Sequence, residues 1–349
     1  MPQKNSSNSS ESLATYRAFA IRGKEDGVLL ELPLREPTDN EIRIKVAYVG
    51  ICGSDLHYYF AGANGSFAIK EPLIPGHEVS GTIDLDPRGK FAQGTPVAIF
   101  PAQGGEPISG LADRPHLWRG VRYFGSAATS PHTQGAMAEY IYVQREMVRP
   151  LPPGIDLKAG ALAEPLAVAI HGVKLAGNLS GKKILISGAG PIGLLTIGAA
   201  RAAGATEITS TDLFDEALAR ARQMGANKVI NISQDSVAPD YYDVIFECSG
   251  NVRAVNSAII SVQRGGAIVQ VGMISAGEQL VDIGLIVTKE IKYLGAFRFN
   301  NEMDEALTLL AQESSLNLCI TDQFPLEQIR EAFELARDSR RSGKVVIAC

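Results

Sequence analysis

A glycine-rich turn between an apolar segment and a helical pattern constrains the fold of this chain most. The segment KILIS at 183–187 runs into GAGPIG at 188–193, and the helix-forming sequence LLTIGAARA follows. Glycines permit the tight turn and let backbone N–H groups approach a pyrophosphate at the positive end of a helix. This order of strand, turn and helix predicts a dinucleotide-binding unit. Its candidate cofactor-binding residues are Gly188, Gly190, Pro191, Ile192 and Gly193.

Strand and helix patterns alternate on both sides of this turn. EITSTD, FDEALARARQMG, NKVINI, YDVIFECSG and GAIVQVGM follow one another within residues 164–299. Such alternation is typical of a parallel sheet covered by helices on both faces, so we expect an α/β, doubly wound Rossmann cofactor domain there. Ser249, Gly250 and Gly272 end the later strands, where such a sheet exposes its ligand crevice. We therefore expect them to line the cofactor site.

An aspartate at the end of the second strand of this domain indicates which dinucleotide binds. Asp212 ends EITSTD, close to the spacing of about 20 residues at which an acid hydrogen-bonds the adenosine ribose. Neither position 213 nor 214 carries a cation that would neutralise the extra phosphate of NADP. The pattern predicts NAD. The alternative is a helix N-cap, for which Asp215 is better placed.

The rest of the chain has a different pattern. Residues 17–160 alternate short apolar segments such as EIRIKVAYVG and TPVAIF with Gly and Pro, which predicts a β-rich domain of short strands. After residue 299 come two helix-like segments and a last strand, GKVVIA. We expect residues 1–163 to form the catalytic domain together with 300–349, with the cofactor domain inserted between them.

Composition limits the partners and the cellular compartment. The 349 residues are 45% hydrophobic and 20% charged, enough for a large core in two domains. A net charge of −5 offers no reason to propose nucleic acid or a membrane as partner. The first 16 residues are polar and Ser-rich, so we expect a frayed tail and no secretory signal. Four scattered cysteines without a CxxC pair fit a reducing compartment, and we expect a cytoplasmic protein.

Two short motifs in the β-rich part suggest a metal site. A catalytic zinc takes about three protein ligands among Cys, His and carboxylates, which Cys52 in CGSDLH, His77 in GHE and Glu164 at the domain junction could supply. A lone buried Cys or His is more often structural, but the two motif contexts favour a metal site. A metal that stabilises an alkoxide beside a nicotinamide that accepts hydride makes an alcohol dehydrogenase.

Five segments carry a resemblance to a known family: ICGSDLHYY at 51–59, PGHEVSG at 75–81, AEPLAVAIH at 163–171, SGAGPIG at 187–193 and GAFRF at 295–299. The sequence resembles the zinc-dependent medium-chain dehydrogenases/reductases, in their polyol dehydrogenase branch, over almost the whole chain. The resemblance implies a GroES-like catalytic domain beside the Rossmann domain. It also implies that Cys52, His77 and Glu164 are the catalytic zinc ligands, with Glu78 in support or as an exchangeable fourth ligand.

The resemblance assigns three further roles around the metal. Asp55 matches the carboxylate that orients the zinc-bound histidine, a role that metal sites need filled by some acceptor. Ser54 and His57 match a proton relay, because a hydroxyl can bridge the alcohol to an imidazole that passes the proton outward. A turn hydroxyl and a surface imidazole are the alternatives for these two residues.

One departure from the family concerns a second metal. Many relatives carry a structural zinc on four closely spaced cysteines near positions 100–120, whereas this chain reads PAQGGEPISGLADRPHLWRG there. We therefore expect one catalytic Zn²⁺ and no structural zinc. Packing or a partner subunit would hold this lobe, and we expect a homo-oligomer, a dimer or a tetramer.

The substrate expected from these motifs is a small polyhydroxylated molecule, a sugar acid or a polyol. Tyr58 and Arg298 match the family's polyol-contacting positions, Glu164 is a further candidate contact, and Phe124 is a candidate apolar wall. Arg298 offers a bidentate fork for a carboxylate, although it could instead pair with Glu164. The alternatives are a sorbitol- or xylitol-type polyol dehydrogenase and, from another class, a noncatalytic NAD-binding protein.

Overall fold

The computed structural model describes residues 14–275 and 277–349. The frayed tail of about ten residues expected at the N-terminus lies outside the described residues. The described residues 14–160 are rich in strands and contain two α-helices. Their elements are β1 (Thr15–Gly23), β2 (Asp26–Pro33), β3 (Glu41–Gly50), α1 (Gly53–Ala61), β4 (Ala63–Asn64), β5 (Phe67–Ala68), β6 (Glu78–Leu85), β7 (Pro96–Ile99), β8 (Ala102–Gln103), β9 (Arg122–Tyr123), β10 (Tyr140–Gln144), β11 (Val148–Pro150) and α2 (Leu157–Gly160).

Helices and strands then alternate until a short C-terminal segment. The alternating part contains α3 (Ala163–Ala176), β12 (Lys183–Ser187), α4 (Pro191–Ala202), β13 (Glu207–Asp212), α5 (Asp215–Gln223), β14 (Lys228–Asn231), β15 (Tyr242–Glu247), α6 (Val252–Ser261), β16 (Val262–Gln270), α7 (Gly284–Thr288) and β17 (Lys292–Gly295). The last elements are α8 (Met303–Gln312), β18 (Ile320–Pro325), α9 (Ile329–Ala336) and β19 (Lys344–Ala348).

A seven-stranded sheet organises the β-rich part. Its order is β11-β7-β6-β3-β19-β18, and β10 also pairs with β3. The central strand β3 alternates as its sequence predicts, because Ile42, Ile44 and Val46 are buried in one core. The C-terminal strand β19 pairs with β3, with Ile347 opposite Val49. The last strand therefore returns to the seven-stranded sheet of the β-rich part.

A six-stranded parallel sheet organises the alternating part, in the order β14-β13-β12-β15-β16-β17. Side chains of β12 alternate between its faces, since Ile184 and Ile186 pack in one core cluster and Leu185 in another. Helices cover both faces, which confirms the predicted doubly wound α/β unit. Strand order reverses between β12 and β15, and an open sheet binds its ligand at such a switch point. No helix of the described residues is both long and apolar enough to cross a membrane.

Candidate metal and cofactor site

The ends of two neighbouring strands bring the predicted metal ligands together. Strands β3 and β6 pair antiparallel with Gly50 opposite Glu78, so the residue after β3 and the residue before β6 lie at one end of the sheet. Cys52 follows β3 as the N-cap of α1, and His77 directly precedes β6. One ligand atom from each of Cys52, His77 and Glu78 lies within 4.8 Å of the others.

The chemistry of these three side chains fits a divalent cation. A thiol, an imidazole and a carboxylate form a donor set typical of zinc. His77 Nδ1 and Glu78 Oε2 are buried and lack a hydrogen-bond partner in the described structure, which is rare for buried polar atoms. Burial by itself lowers the pKa of His77, yet the negative charge of Cys52, Asp55 and Glu164 raises it to about 10. The surroundings of His77 therefore favour a positive charge.

Asp55 joins the two loops that carry the ligands. It is fully buried, and its Oδ2 accepts the N–H of Cys52 while its Oδ1 accepts the N–H of Gly76, each at 2.9 Å. Burial raises the pKa of Asp55, and these bonds together with His77 oppose the rise. Asp55 thus holds the backbone beside Cys52 and beside His77, and its predicted role of orienting the histidine stays a prediction.

Glu164 lies near this group but has a different partner. It sits in the first turn of α3 and is buried, and its Oε1 accepts a hydrogen bond from Tyr123 Oη at 2.5 Å. Burial raises the pKa of Glu164, and His77 opposes the rise. The carboxylate that the structure gathers with Cys52 and His77 is that of Glu78. Sequence reasoning missed Tyr123, although its neighbour Phe124 was singled out.

A buried lysine beside the metal site was also missed. Lys344 in β19 places its Nζ 2.6 Å from Glu78 Oε1 and 2.9 Å from the carbonyl oxygen of Ile51. The side chains of Lys344 and Glu78 are 3% and 1% exposed. The position of Lys344 at the start of an apolar strand could have indicated a buried ion pair, because a fully buried lysine requires a partner.

The two residues of the predicted proton relay lie on α1. Ser54 and His57 are three positions apart and therefore share a helix face. Ser54 is half-buried, while His57 is exposed and places Nδ1 3.2 Å from Asn64 Oδ1. No Ser54–His57 hydrogen bond forms within the described residues. The outer imidazole is positioned by Asn64, a residue that sequence reasoning did not single out.

Arg298 lies beside Tyr123, the residue that donates a hydrogen bond to Glu164. Its guanidinium carbon lies 4.0 Å from the centroid of the Tyr123 ring and 4.8 Å from that of Phe297. Burial lowers the pKa of Arg298. Arg298 and Tyr123 both line a cavity of about 290 Å³. The backbone of Arg298 has φ of 53°, a left-handed conformation that costs a non-glycine residue about 1–3 kcal/mol and is often found at functional sites.

Two further substrate candidates, Tyr58 and Phe124, pack in the core. Tyr58 is 1% exposed, and its Oη accepts the N–H of Ala127 at 3.0 Å. Phe124 is buried in the same core cluster. Tyr58 is nevertheless close enough to Arg298 to raise its pKa slightly against the lowering effect of burial. Tyr58 is therefore associated with Arg298, whereas Phe124 belongs to the core and is not among the residues that line the cavity of Arg298.

The glycine turn after β12 has the shape that the motif requires. Gly188 has φ of 97°, and a Cβ on Gly193 would lie 1.9 Å from the carbonyl oxygen of Gly188, so the helix packs directly on the turn. Gly190 is the N-cap of α4, and Pro191 and Ile192 begin the helix. A Cβ on Gly190 would meet no atom within 4 Å. The turn is therefore open at the helix N-terminus, where a pyrophosphate can bind.

Asp212 stands at the carboxyl end of β13, next to this turn. Its Oδ2 accepts the N–H of Ala189 at 2.8 Å, and its Oδ1 accepts the N–H groups of Leu213 and Phe214 at 2.8 and 3.2 Å. These bonds fix the carboxylate beside the glycine turn. Oδ1 already accepts two N–H groups, whereas Oδ2 accepts one and keeps capacity for a further donor such as a ribose hydroxyl.

The remaining cofactor candidates meet at the ends of β15 and β16. A Cβ on Gly272 would lie 2.4 Å from the backbone nitrogen of Gly250, so the two loops are in backbone contact. Glu247, fully buried, accepts the N–H groups of Ser249 and Gly250 at 2.8 and 3.1 Å. Sequence reasoning missed Glu247 as the organiser of these loops. The predicted residues therefore line one edge of the sheet, at its switch point.

Comparison with protein families identifies the class of protein that these two sites define. Residues 38–153 match the model of the alcohol dehydrogenase GroES-like domain, and residues 191–312 match that of the zinc-binding dehydrogenases. This chain belongs to the zinc-binding alcohol dehydrogenase family. The predicted combination of a GroES-like unit with a Rossmann unit is confirmed.

Individual relatives place the chain in the polyol-oxidising branch of that family. L-idonate 5-dehydrogenase (NAD(P)(+)) of Escherichia coli strain K12 is 36% identical over 336 residues, 94% of this chain and 97% of that protein. Sorbitol dehydrogenase of Bos taurus is 32% identical over 347 residues, 95% and 96% of the two chains. The crystal structure of the Escherichia coli L-idonate 5-dehydrogenase matches with a TM-score of 0.91 at 32% identity, over 96% of this chain and 99% of that one.

These findings confirm two predictions made from the sequence. The chain is a medium-chain dehydrogenase/reductase of the polyol dehydrogenase branch, and it is an oxidoreductase of the zinc- and NAD(P)-dependent kind. The roles of individual site residues stay predictions, and they enter the proposal below.

Proposed function

We propose that this enzyme oxidises a secondary hydroxyl of a sugar acid with NAD, converting L-idonate to 5-keto-D-gluconate. The similarity to L-idonate 5-dehydrogenase over nearly the whole chain supports this substrate. The observation that carries the proposal is the position of Arg298. A largely buried guanidinium lies beside the Tyr123–Glu164 pair without an ion-pair partner among the described residues.

An unpaired guanidinium favours an anionic substrate over a neutral one. Burying a cation without a counterion is unfavourable, and a substrate carboxylate would relieve this with two parallel hydrogen bonds. The left-handed backbone of Arg298 is strain that the fold maintains at this point. The aromatic rings of Tyr123 and Phe297 hold the guanidinium plane in place.

The metal would be held by Cys52, His77 and one carboxylate. Glu78 and Glu164 are the two candidates for the third position, and the 4.8 Å grouping favours Glu78. Bound zinc would stabilise the developing alkoxide charge of the substrate, and bound NAD would accept the hydride. The proposal includes one catalytic zinc and no structural zinc, because residues 100–120 contain no cysteine.

The chain's own residues supply positioning and a proton path. Asp55 holds the backbone of both ligand loops, and Arg298 would orient the substrate through its carboxylate. Tyr58 stands beside Arg298, and Phe124 packs in the core. Ser54 would take the hydroxyl proton and pass it to the exposed His57, from which it reaches solvent. Asn64 keeps the His57 ring in one orientation.

NAD is the cofactor favoured by the position of Asp212. The carboxylate beside the glycine turn can accept a ribose hydroxyl at Oδ2, and it would repel the 2′-phosphate of NADP. We expect Asp212→Gly to weaken NAD binding much more than NADP binding, measured by fluorescence titration with NADH and NADPH. Equal losses for the two cofactors would show that Asp212 does not touch the ribose.

A substrate panel tests the proposed reaction directly. Purified enzyme and NAD are mixed with L-idonate, related sugar acids, sorbitol and xylitol while NADH absorbance is recorded. We expect kcat/KM to be highest for L-idonate and Arg298→Met to lower it for sugar acids more than for sorbitol. A neutral polyol as the best substrate would instead support the second candidate, a sorbitol-type dehydrogenase, which the similarity to the bovine enzyme favours.

Loss of the metal separates the proposed mechanism from mere cofactor binding. Cys52→Ser, or removal of the metal with a chelator, is expected to abolish turnover while NADH affinity stays unchanged. Metal-free enzyme that turns over at the wild-type rate would contradict the mechanism.

We also propose that the enzyme is a homo-oligomer. Strand β17 is an edge of the parallel sheet, and its N–H and C=O groups on that side are unpaired. Large apolar side chains around this edge are exposed, a feature of interaction surfaces. They are Met273, Leu280, Ile283, Val287, Tyr293 and Phe297. Light scattering of wild type and Val287→Asp would test whether this edge joins two copies.

A cytoplasmic location is the last part of the proposal. The support is that Cys52, Cys248, Cys319 and Cys349 are free thiols. Free thiols persist in a reducing compartment. Fractionation of cells that produce the native chain would test this location.

A further inference from the structure

Tyr123 contacts three groups of the candidate site at once. Its Oη donates to Glu164 Oε1 at 2.5 Å, its ring face lies under the Arg298 guanidinium at 4.0 Å, and its ring meets the His77 ring edge-on at a centroid distance of 5.5 Å. Tyr123 is 6% exposed and Glu164 5% exposed. Strand β9 holds the backbone of Tyr123 through its pairing with β8. The hydroxyl therefore has a fixed position.

The hydrogen bond from Tyr123 restrains the carboxylate of Glu164, which lies near the metal ligands. Hydrogen bonds from a hydroxyl to a carboxylate at about 2.5–2.7 Å are among the stronger ones, and burial strengthens them. Within the described residues this is the single side-chain hydrogen bond to Glu164. Glu78 is restrained differently, because Lys344 holds its Oε1 while its Oε2 has no partner. Glu164 Oε2 likewise accepts no hydrogen bond within the described residues, but the carboxylate that lies within 4.8 Å of the Cys52 and His77 ligand atoms is that of Glu78.

We propose that Tyr123 is a positioning residue that keeps Glu164 turned away from the metal, so that Glu78 takes the third ligand position. This inference rests on the proposed metal site. Without the hydroxyl, Glu164 would be free to turn toward the cation and occupy the position that the substrate needs. The hydroxyl of Tyr123 would therefore determine which carboxylate binds the metal and would keep one coordination position open for the substrate.

The test replaces zinc by Co²⁺, whose visible absorption reports the number and kind of its ligands without any substrate. Tyr123→Phe deletes the hydroxyl and keeps the ring that packs on Arg298 and His77. We expect Tyr123→Phe to change the cobalt spectrum and Glu164→Gln alone to leave it as in wild type. The double variant is expected to recover the wild-type spectrum, because the residue that turned inward is no longer a carboxylate.

A matched control removes a hydroxyl from another buried tyrosine. Tyr242 in β15 is 2% exposed and belongs to the core of the parallel sheet, so Tyr242→Phe is expected to keep the wild-type spectrum. Loss of a residue that supports a metal site typically lowers activity about 10–100-fold. We expect kcat of Tyr123→Phe with zinc to fall within this range while NADH affinity is unchanged.

Two results would overturn the inference. One is an identical cobalt spectrum for wild type and Tyr123→Phe, and the other is a Glu164→Gln spectrum changed as much as that of Tyr123→Phe. The second result would show that Glu164 is already a ligand. Neither depends on which alcohol is oxidised, so a failure of this inference is distinguishable from a failure of the proposed substrate.

Discussion

The ion pair between Lys344 and Glu78 permits a quantitative prediction about folding. Lys344→Met keeps an unbranched chain of similar length and removes the charge. The variant leaves Glu78, 1% exposed, without its partner at 2.6 Å, next to the Cys52 thiol. It also removes the hydrogen bond to the carbonyl oxygen of Ile51. An uncompensated charge therefore stays in the core of the metal site.

The expected loss is large because both groups are buried. Burial alone lowers the pKa of Lys344, but the nearby Glu78 raises it above its ordinary value, so Lys344 is charged at neutral pH. Breaking a buried pair by removing one partner costs about 3–5 kcal/mol. Replacing both partners by apolar residues of similar volume is often neutral. The double variant Glu78→Met, Lys344→Met is therefore expected to be more stable than Lys344→Met alone.

Urea unfolding of the metal-free proteins measures these differences. The chain has one tryptophan, Trp118, whose indole N–H donates to the carbonyl oxygen of Leu111 at 2.8 Å, so its fluorescence reports on the catalytic part. We expect the free energy of unfolding to fall by about 3–5 kcal/mol in Lys344→Met. A fall below about 1 kcal/mol, or a double variant as unstable as the single one, would refute the reasoning.

Two further predictions concern a buried carboxylate and the glycine turn. Burial alone raises the pKa of Glu302, but its bonds to His171 and to backbone N–H groups lower it to about 2. The ionised Glu302 carboxylate therefore contributes its full stabilisation above the ordinary pKa of a glutamate and loses it as the pH falls toward 2. The free energies of unfolding of wild type and Glu302→Gln should converge between about pH 5 and pH 2. A difference that stays constant with pH would contradict this. Gly193→Ala forces a Cβ against the Gly188 carbonyl and should lower stability by about 1–3 kcal/mol, whereas Gly190→Ala, whose Cβ points into open space, should mainly weaken NADH binding. Thermal unfolding and NADH titration check both variants, and equal stability losses would disprove the difference.

Much of the fold could be predicted because its signals are local. The apolar alternation in 183–187 and the turn chemistry of 188–193 depend on neighbouring residues, and the doubly wound sheet follows from their repetition. Cys52 and His77 were found in the same way, from short motifs. Their convergence then followed from the pairing of β3 with β6.

The partners of the site residues were harder to predict. The Asp55 carboxylate binds backbone N–H groups beside the ligands, because the loops pack around it. Glu164 meets Tyr123 41 positions away, and Glu78 meets Lys344 266 positions away. A local pattern contains no information on such distant contacts.

Residue order alone is thus sufficient for the strand and helix pattern, the glycine turn and the types of ligand available to a metal. The tertiary structure decides the partners of the two carboxylates. Glu78 meets Lys344 because β19 returns to β3, and Glu164 meets Tyr123 because β9 lies beside α3. The physical reason is range: backbone preferences act over a few neighbouring residues, whereas the charge and orientation of a buried carboxylate depend on every group that packing brings within a few ångströms.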